Sequence, residues 1–351
     1  MPLLDTQPSI EGPAADLEEQ LVGWLHAAGS VLIGFSGGVD SAYLACVATQ
    51  ALGAERVLAV IGRSSSYPEV QWARARELAG QFGIPLLEVD TDELQDPRYA
   101  ANPTNRCYFC KSELWHVLIP IARERGLSVV IDGTNAEDLT GHRPGAAAAR
   151  EQGVRSPLAE VSMTKAAIRE RSRARGIPTW NQPASPCLSS RIPYGTEVTS
   201  ERLRLVERAE GALRALGIRG DMRVRLHGPL ARIELGDEEL DYWSHPARRH
   251  DLRDAVMAAG FDRAALDLRG FRSGSLNLLA TAETRENVQG WSDVLESVDE
   301  HAPVESIGGM AVITERDARQ AWTAERRAAA VNVGSSRGFT HVALELHAAS
   351  I

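Results

Sequence analysis

The sequence predicts an α/β protein: a parallel sheet with helices on both faces, followed by a smaller α+β domain. Three observations carry this. From Val31 short apolar runs alternate with helical segments, the pattern of successive βαβ units. Between Ile177 and Thr196 the text becomes "IPTWNQPASPCLSSRIPYGT", whose Pro and Ser content marks a boundary by its turn chemistry. A chain of 351 residues also exceeds one ordinary core, for which two domains are the usual solution.

The elements follow in order. Residues 1–20, "MPLLDTQPSIEGPAADLEEQ", read as an N-terminal tail. The first domain, 21–184, runs through the strand "VLIGFS", the helix "AYLACVATQAL", the strand "VLAVIG", the helix "YPEVQWARARELAGQF" and the strand "IPLLEVD". A loop rich in Asn and Pro leads to the helix "CKSELWHVLIPIARERG" and the apolar strand "LSVVID", which ends in "GTNAED". Near its close, "KAAIRERSRARG" (Lys165 to Gly176) reads as an exposed basic helix face, the one local feature that would suit RNA. The second domain, 185–284, opens on "SERLRLVERAEGALRALG", where Leu203, Val206, Leu213 and Leu216 share a helical face. Two strands follow, "MRVRLHG" and "ARIELG", then another helix and "AALDL". Residues 285–351 form a C-terminal extension, read as a partial repeat: Ala311 to Leu346 echoes Ala231 to Leu268, "GFTHVALEL" against "GFDRAALDL".

Composition narrows the class. Hydrophobic residues at 44% and charged residues at 24% are ordinary for a folded soluble protein. Lys and Arg number 38 against 47 Asp and Glu, and the net charge of −9 weighs against a nucleic-acid partner. There is no long apolar run and no signal-peptide pattern, so no membrane is expected, the expected location is the cytoplasm, and the thiols are expected to be reduced.

The strongest chemical signal is "VLIGFSGGVDSAYLACVA", a strand running into Ser36, Gly37, Gly38, Val39, Asp40 and Ser41 and then a helix. Two glycines admit close backbone approach, and the serines and unpaired helix amides offer donors to phosphate. No Lys follows the glycines, so the Walker loop of γ-phosphate transfer is absent. The ends of neighbouring parallel strands add Arg63, Ser64, Gly133, Thr134 and Asn135 as nucleotide contacts.

Four cysteines remain. Cys46 lies on an apolar helix and reads as core. Cys107 and Cys110 form C-x-x-C in "NRCYFCK"; that spacing suits zinc, a redox pair, an iron-sulfur cluster or two plain thiols. Cys187 sits in "SPCLSSRIPYG".

The glycine loop resembles the PP-loop of ATP pyrophosphatases. Together with "RCYFCK", "DGTNAED", "SPCLSSRIPYG", "MRVRLHG", "ARIELG" and "GFRSGSLN", it resembles the LarE family over about Leu21 to Leu279. That resemblance implies a sulfurtransferase that adenylylates a carboxylate of pyridinium-3,5-biscarboxylic acid mononucleotide with ATP and magnesium, then inserts sulfur for the nickel-pincer nucleotide of lactate racemase. It implies Asp40 near magnesium, and Cys187 as nucleophile and sulfur donor or, with Cys107 and Cys110, as ligand to a [4Fe-4S] cluster. Arg191, Arg223 and Arg225 are then substrate contacts, with Glu210 and Glu234 as further candidate metal ligands. The resemblance also implies a homo-oligomer, a hexamer in the family, and leaves the sulfide source open. The rivals are an iron-sulfur PP-loop tRNA thiolase and an amide-forming synthetase.

Overall fold

The computed structural model describes residues 12–139, 144–183, 185–272, 274, 304–314 and 321–347. They divide into two compact units, Met1–Pro186 and Cys187–Ile351.

Unit 1 is built on a parallel sheet of β1 (Val31–Gly34), β2 (Val57–Arg63), β3 (Leu86–Asp90) and β4 (Val129–Ile131). The order is β3-β2-β1-β4, so the chain first builds one side of β1 and then returns to the other. The parallel arrangement buries both faces of β1, which explains its unbroken "VLI": all three side chains are inaccessible. The crossovers are α2 (Val39–Leu52), α3 (Glu69–Gln81) and α5 (Arg106–Glu124), with the one-turn α4 (Pro97–Ala100) ahead of α5. Nine of the first ten positions of α2 are buried, so it is a core helix rather than an amphipathic one. Beyond β4 come α6 (Pro144–Glu151), α7 (Pro157–Glu160) and α8 (Lys165–Ala174), the last capped by Thr164, whose hydroxyl accepts from Ala167 N.

Two expectations for unit 1 are corrected. The tail gives way at Pro13 to a helix, α1 (Pro13–Ala28), whose Ala14, Leu21 and Leu25 join the core. The basic segment from Lys165 is not an exposed face. Arg171, 4% exposed, and Arg175 both bind Glu18 of α1, Arg169 donates to the carbonyls of Trp180 and Gln182, and Arg173 lies over Trp180. Helical projection cannot show this, because the partner carboxylate lies more than 150 residues away in sequence.

Unit 2 holds α9 (Ser200–Ala215), β5 (Met222–His227), β6 (Leu230–Leu235), α10 (Asp237–Trp243), α11 (Pro246–Ala259) and β7 (Arg263–Asp267). The extension contributes β8 (Val304–Ile307), β9 (Met310–Ile313), α12 (Ala324–Ser336) and β10 (His341–Glu345) to the same sheet. Its order is β5-β6-β7-β10-β9-β8. Both hairpins turn in two residues, and Gly308 and Gly309 at φ 53° and 79° meet the need of a twist-matched turn for positive φ. Across the sheet the pairings run antiparallel, parallel, antiparallel, parallel, antiparallel, the same from either edge. No helix among the described residues is long and apolar enough to cross a membrane.

Candidate active site

In unit 1 the strand order reverses between β1 and β4, and in an open parallel sheet ligands sit beyond the strand ends at such a point. The loop from Ser36 to Gly38 leaves β1 there. Gly37 has φ 64°, and a Cβ on it would stand 2.5 Å from that of Ala75. Gly133, at the end of β4, is equally constrained: a Cβ would meet Ser41 N at 2.9 Å. Gly37 lets its loop pass against α3, and Gly133 lets the β4 loop close over the start of α2, whose first amides are a ready anion site. Ser41 Oγ accepts from Ser36 N at 3.2 Å and lies 3.1 Å from Ser36 Oγ, while Tyr67 donates to the Ser36 carbonyl.

The ends of β2 and β4, which flank β1, carry the other predicted residues. Asp40 in the first turn of α2 is 3.5 Å from Asn135 Nδ2. Thr134 is held by Asp132, to which its N and Oγ1 both donate, and Ser156 donates to the same carboxylate. Arg63 stacks over Trp72 at 4.6 Å, and Ser64 pairs with Ser66, which donates to Glu93. The sequence reading missed Lys165. Its Nζ is 2.5 Å from Asp40 Oδ2, with side-chain exposures of 33% and 21%. The glycine loop thus receives its ammonium from α8, the helix read as a plain surface, instead of from the loop itself as in a Walker motif.

Cys107 and Cys110 both lie in the first turns of α5, which begins at Arg106, four residues ahead of its predicted start. Spacing of three puts them on one helical face; Cys107 is exposed and Cys110 half-buried. Lys111 crosses Trp115, and Arg98 crosses Phe109 between the two thiols. Cys46 is buried, and burial pushes its thiol up to about 12.

Unit 2 opens on Cys187, the N-cap of a 3-10 turn ending at Arg191. The turn is fixed from below. The Cys187 carbonyl accepts from Ser190 Oγ at 2.7 Å and Arg191 Nη1 at 3.1 Å, and Arg225 Nη1 donates to the Ser190 carbonyl at 2.7 Å. Arg191 is 2% exposed and forked onto Glu210, which also accepts from Val224 N. Arg223 and Arg225 share a face of β5, as the alternation predicts, and both are buried, though β5 is an edge strand. Arg223 lies over Phe271; burial first, and Arg191 beside it, lower its guanidinium to about 10, with Glu210 opposing that fall.

Glu234 belongs to a buried ion network. Arg225 reaches it at 2.8 Å, Arg232 at 2.9 Å, and Arg232 also reaches Asp267 at 3.0 Å. Burial raises the Asp267 carboxyl, and Arg232 opposes that rise. Glu234, Asp267 and His341 bring ligand atoms within 4.8 Å of one another, the single such trio among the described residues. A cation there would meet two guanidiniums, and both Glu210 and Glu234 are engaged by arginines.

The sequence relatives decide the family. Over 248 residues the chain is 35% identical to the pyridinium-3,5-bisthiocarboxylic acid mononucleotide synthase of Lactiplantibacillus plantarum, covering 70% of this chain and 88% of that protein. The chain belongs to the LarE family of PP-loop sulfurtransferases. It is also 46% identical to an uncharacterised protein of Synechocystis over 250 residues, 71% of this chain and 92% of the relative. A third relative, from Methanocaldococcus jannaschii, is 27% identical over 69% of this chain and 91% of its own length. Residues 16–104, which hold the PP-loop, also match the NAD synthase family. These three relatives are nearly used up by alignments that leave more than a quarter of this chain unmatched.

Proposed function

We propose that this enzyme uses ATP to activate a carboxylate of pyridinium-3,5-biscarboxylic acid mononucleotide and replaces one oxygen by sulfur, a step of nickel-pincer cofactor synthesis in the cytoplasm. The observation that carries the reading is Cys187. It caps a turn braced by Arg191 and Arg225, so a sulfur nucleophile is held on a fixed turn in an arginine-rich neighbourhood, the charge that suits a phosphate and a second carboxylate.

The substrate carboxylate oxygen attacks the α-phosphorus of ATP, and pyrophosphate leaves into the PP-loop amides. Lys165 neutralises charge beside Asp40, and Asp40 with Asn135 would hold magnesium, which would screen the phosphates. A carboxylate becomes a competent electrophile only when one oxygen leaves as AMP. The Cys187 thiolate then attacks the acyl carbon and AMP departs. In the sacrificial route a base takes the Cys187 Cα proton, the Cβ–S bond breaks with its electrons passing to sulfur, and thiocarboxylate and dehydroalanine result.

In the second route the sulfur comes from a [4Fe-4S] cluster, which Cys107, Cys110 and Cys187 would hold through three thiolates; the spacing of Cys107 and Cys110 on one face of α5 supports this for that pair. Bound so, a cluster supplies one open iron for a terminal sulfide. The RNA reading has lost its local support, since the basic side chains of α8 are spent on Glu18, Asp40, Trp180 and two carbonyls.

One experiment tests the reading and its two sulfur routes. Anaerobically purified protein is given ATP and the mononucleotide, and AMP, thiocarboxylate and intact mass are followed together. Formation of thiocarboxylate is expected. Loss of one H₂S from Cys187 marks the sacrificial route, whereas unchanged mass over many turnovers, with iron lost in Cys107→Ala, marks the cluster. AMP release stimulated by transfer RNA and not by the mononucleotide would overturn the proposal.

A further inference from the structure

The sheet of unit 2 is built twice. Residues of the hairpin β5-β6 recur 80 positions later in β8-β9: His227 pairs with Leu230 as Ile307 pairs with Met310. Gly260 and Phe261 before β7 recur as Gly338 and Phe339 before β10, and buried Arg249 of α11 recurs as buried Arg327 of α12. β7 and β10 meet antiparallel, and Leu266 pairs with its own counterpart Leu344, which places a local twofold axis there.

The two halves differ in chemistry. Arg225, Arg232 and Glu234 correspond to Glu305, Val312 and Thr314, so the second half has no arginine platform. What it keeps is the seam. On one side of the Leu266–Leu344 pair, Arg263 reaches Glu345 at 2.7 Å and Glu305 at 2.6 Å. On the twofold-related side His341, the counterpart of Arg263, brings a ring nitrogen within 4.8 Å of Asp267 and Glu234. Those carboxylates are rungs of a ladder that runs Asp267, Arg232, Glu234, Arg225 to the Ser190 carbonyl beside Cys187.

His341 is 6% exposed. Its Nδ1 lies 3.0 Å from Thr340 Oγ1, whose hydroxyl is 3.1 Å from the Gly309 carbonyl. Burial, with Arg232 beside it, lowers the imidazole to about 2 and keeps it neutral. A cation in its place would face Arg232 and Arg225, and a small apolar residue would leave room for water beside paired buried charges.

We infer that His341, supplied by the second repeat, is a positioning residue for the sulfur-transfer site: a neutral polar side chain that closes the inner end of the ladder and so holds Arg225 against the Cys187 turn. This rests on the reading of Arg225 as a substrate arginine.

The twofold supplies the control. His341→Ala and Arg263→Met remove twofold-related side chains of the β7–β10 seam, but only the first stands beside the ladder. In His341→Ala, KM for the mononucleotide should rise about tenfold while KM for ATP stays within about twofold, and His341→Gln should recover most of the loss. Arg263→Met should lower thermal stability and leave both constants alone. A second readout needs no substrate: hydrogen exchange of the Arg225 Nε–H, which donates to Glu234 at 2.9 Å, followed by ¹⁵N NMR. It should quicken in His341→Ala, and in His341→Leu should the alanine variant not fold, but not in Arg263→Met. Equal effects of His341 and Arg263 variants on both readouts would overturn the inference and leave a structural seam. If wild type does not turn over the mononucleotide, the proposed function fails on its own, and unchanged Arg225 exchange in the His341 variants would still sink this inference.

Discussion

Replacing Glu18 by Gln removes the carboxylate that two guanidiniums share. Arg171 Nη2 lies 2.7 Å from Oε1, Arg175 Nε lies 2.7 Å from Oε2, and Tyr43 donates to Oε2 at 2.8 Å. Burial by itself raises this carboxyl; the hydrogen bonds from Arg175 and Arg171 together outweigh it and hold it near 2 against an ordinary 4.5. At about 1.4 kcal/mol per pH unit the difference is worth about 3 kcal/mol at neutral pH. A neutral amide at this position would also strand Arg171, whose side chain is 5% exposed, so the loss should reach about 3–5 kcal/mol. Because the folded value lies below the unfolded one, the stabilisation is whole above pH 4.5 and drains away between there and pH 2. Urea unfolding of wild type and Glu18→Gln, followed by tryptophan fluorescence from pH 7 downward, should show a gap that is widest at neutral pH and narrows below pH 4.5. A gap under about 1 kcal/mol at pH 7, or one that does not change with acid, would refute the argument.

Two further outcomes bear on the nucleotide site and the thiols. Lys165→Met, which removes a charge-assisted contact, should lower kcat/KM for ATP about 10- to 100-fold in an AMP-release assay while barely moving the unfolding midpoint; an unchanged rate would remove Lys165 from the site. In native protein treated with a chelator, iodoacetamide at pH 8 should label exposed Cys107 rapidly and leave Cys46 untouched until the chain unfolds, read by peptide mass. Early labelling of Cys46 would contradict its place in the core.

The PP-loop was legible because its signal is local: strand, two glycines and helix follow one another, and the fold only has to bring Gly133 and Asn135 beside them. The alternation that put Arg223 and Arg225 on one strand face was legible for the same reason. Lys165 was not, since nothing in "KAAIRERSRARG" distinguishes an ammonium that reaches Asp40, 125 residues away, from one that reaches solvent. Glu18 failed likewise: a Glu in an acidic stretch reads as surface until Arg171 and Arg175 are seen against it. The extension left a trace in the Gly-Phe pairs, but a sequence echo cannot say that β10 runs antiparallel to β7. That pairing brings His341 to Asp267.

The β7–β10 seam has a consequence for behaviour in dilute solution. Two separate copies of a strand-helix-strand unit find each other only near or above their dissociation constant, and an ion ladder completed across such a joint would come and go with protein concentration. Here both copies travel on one chain, so the joint closes by an intramolecular step and its occupancy is independent of how much protein is present. The half that carries no arginine platform is thereby released from catalytic constraint, and its sequence need preserve little beyond the Leu344 pairing, the helix that covers the sheet and the side chain at position 341.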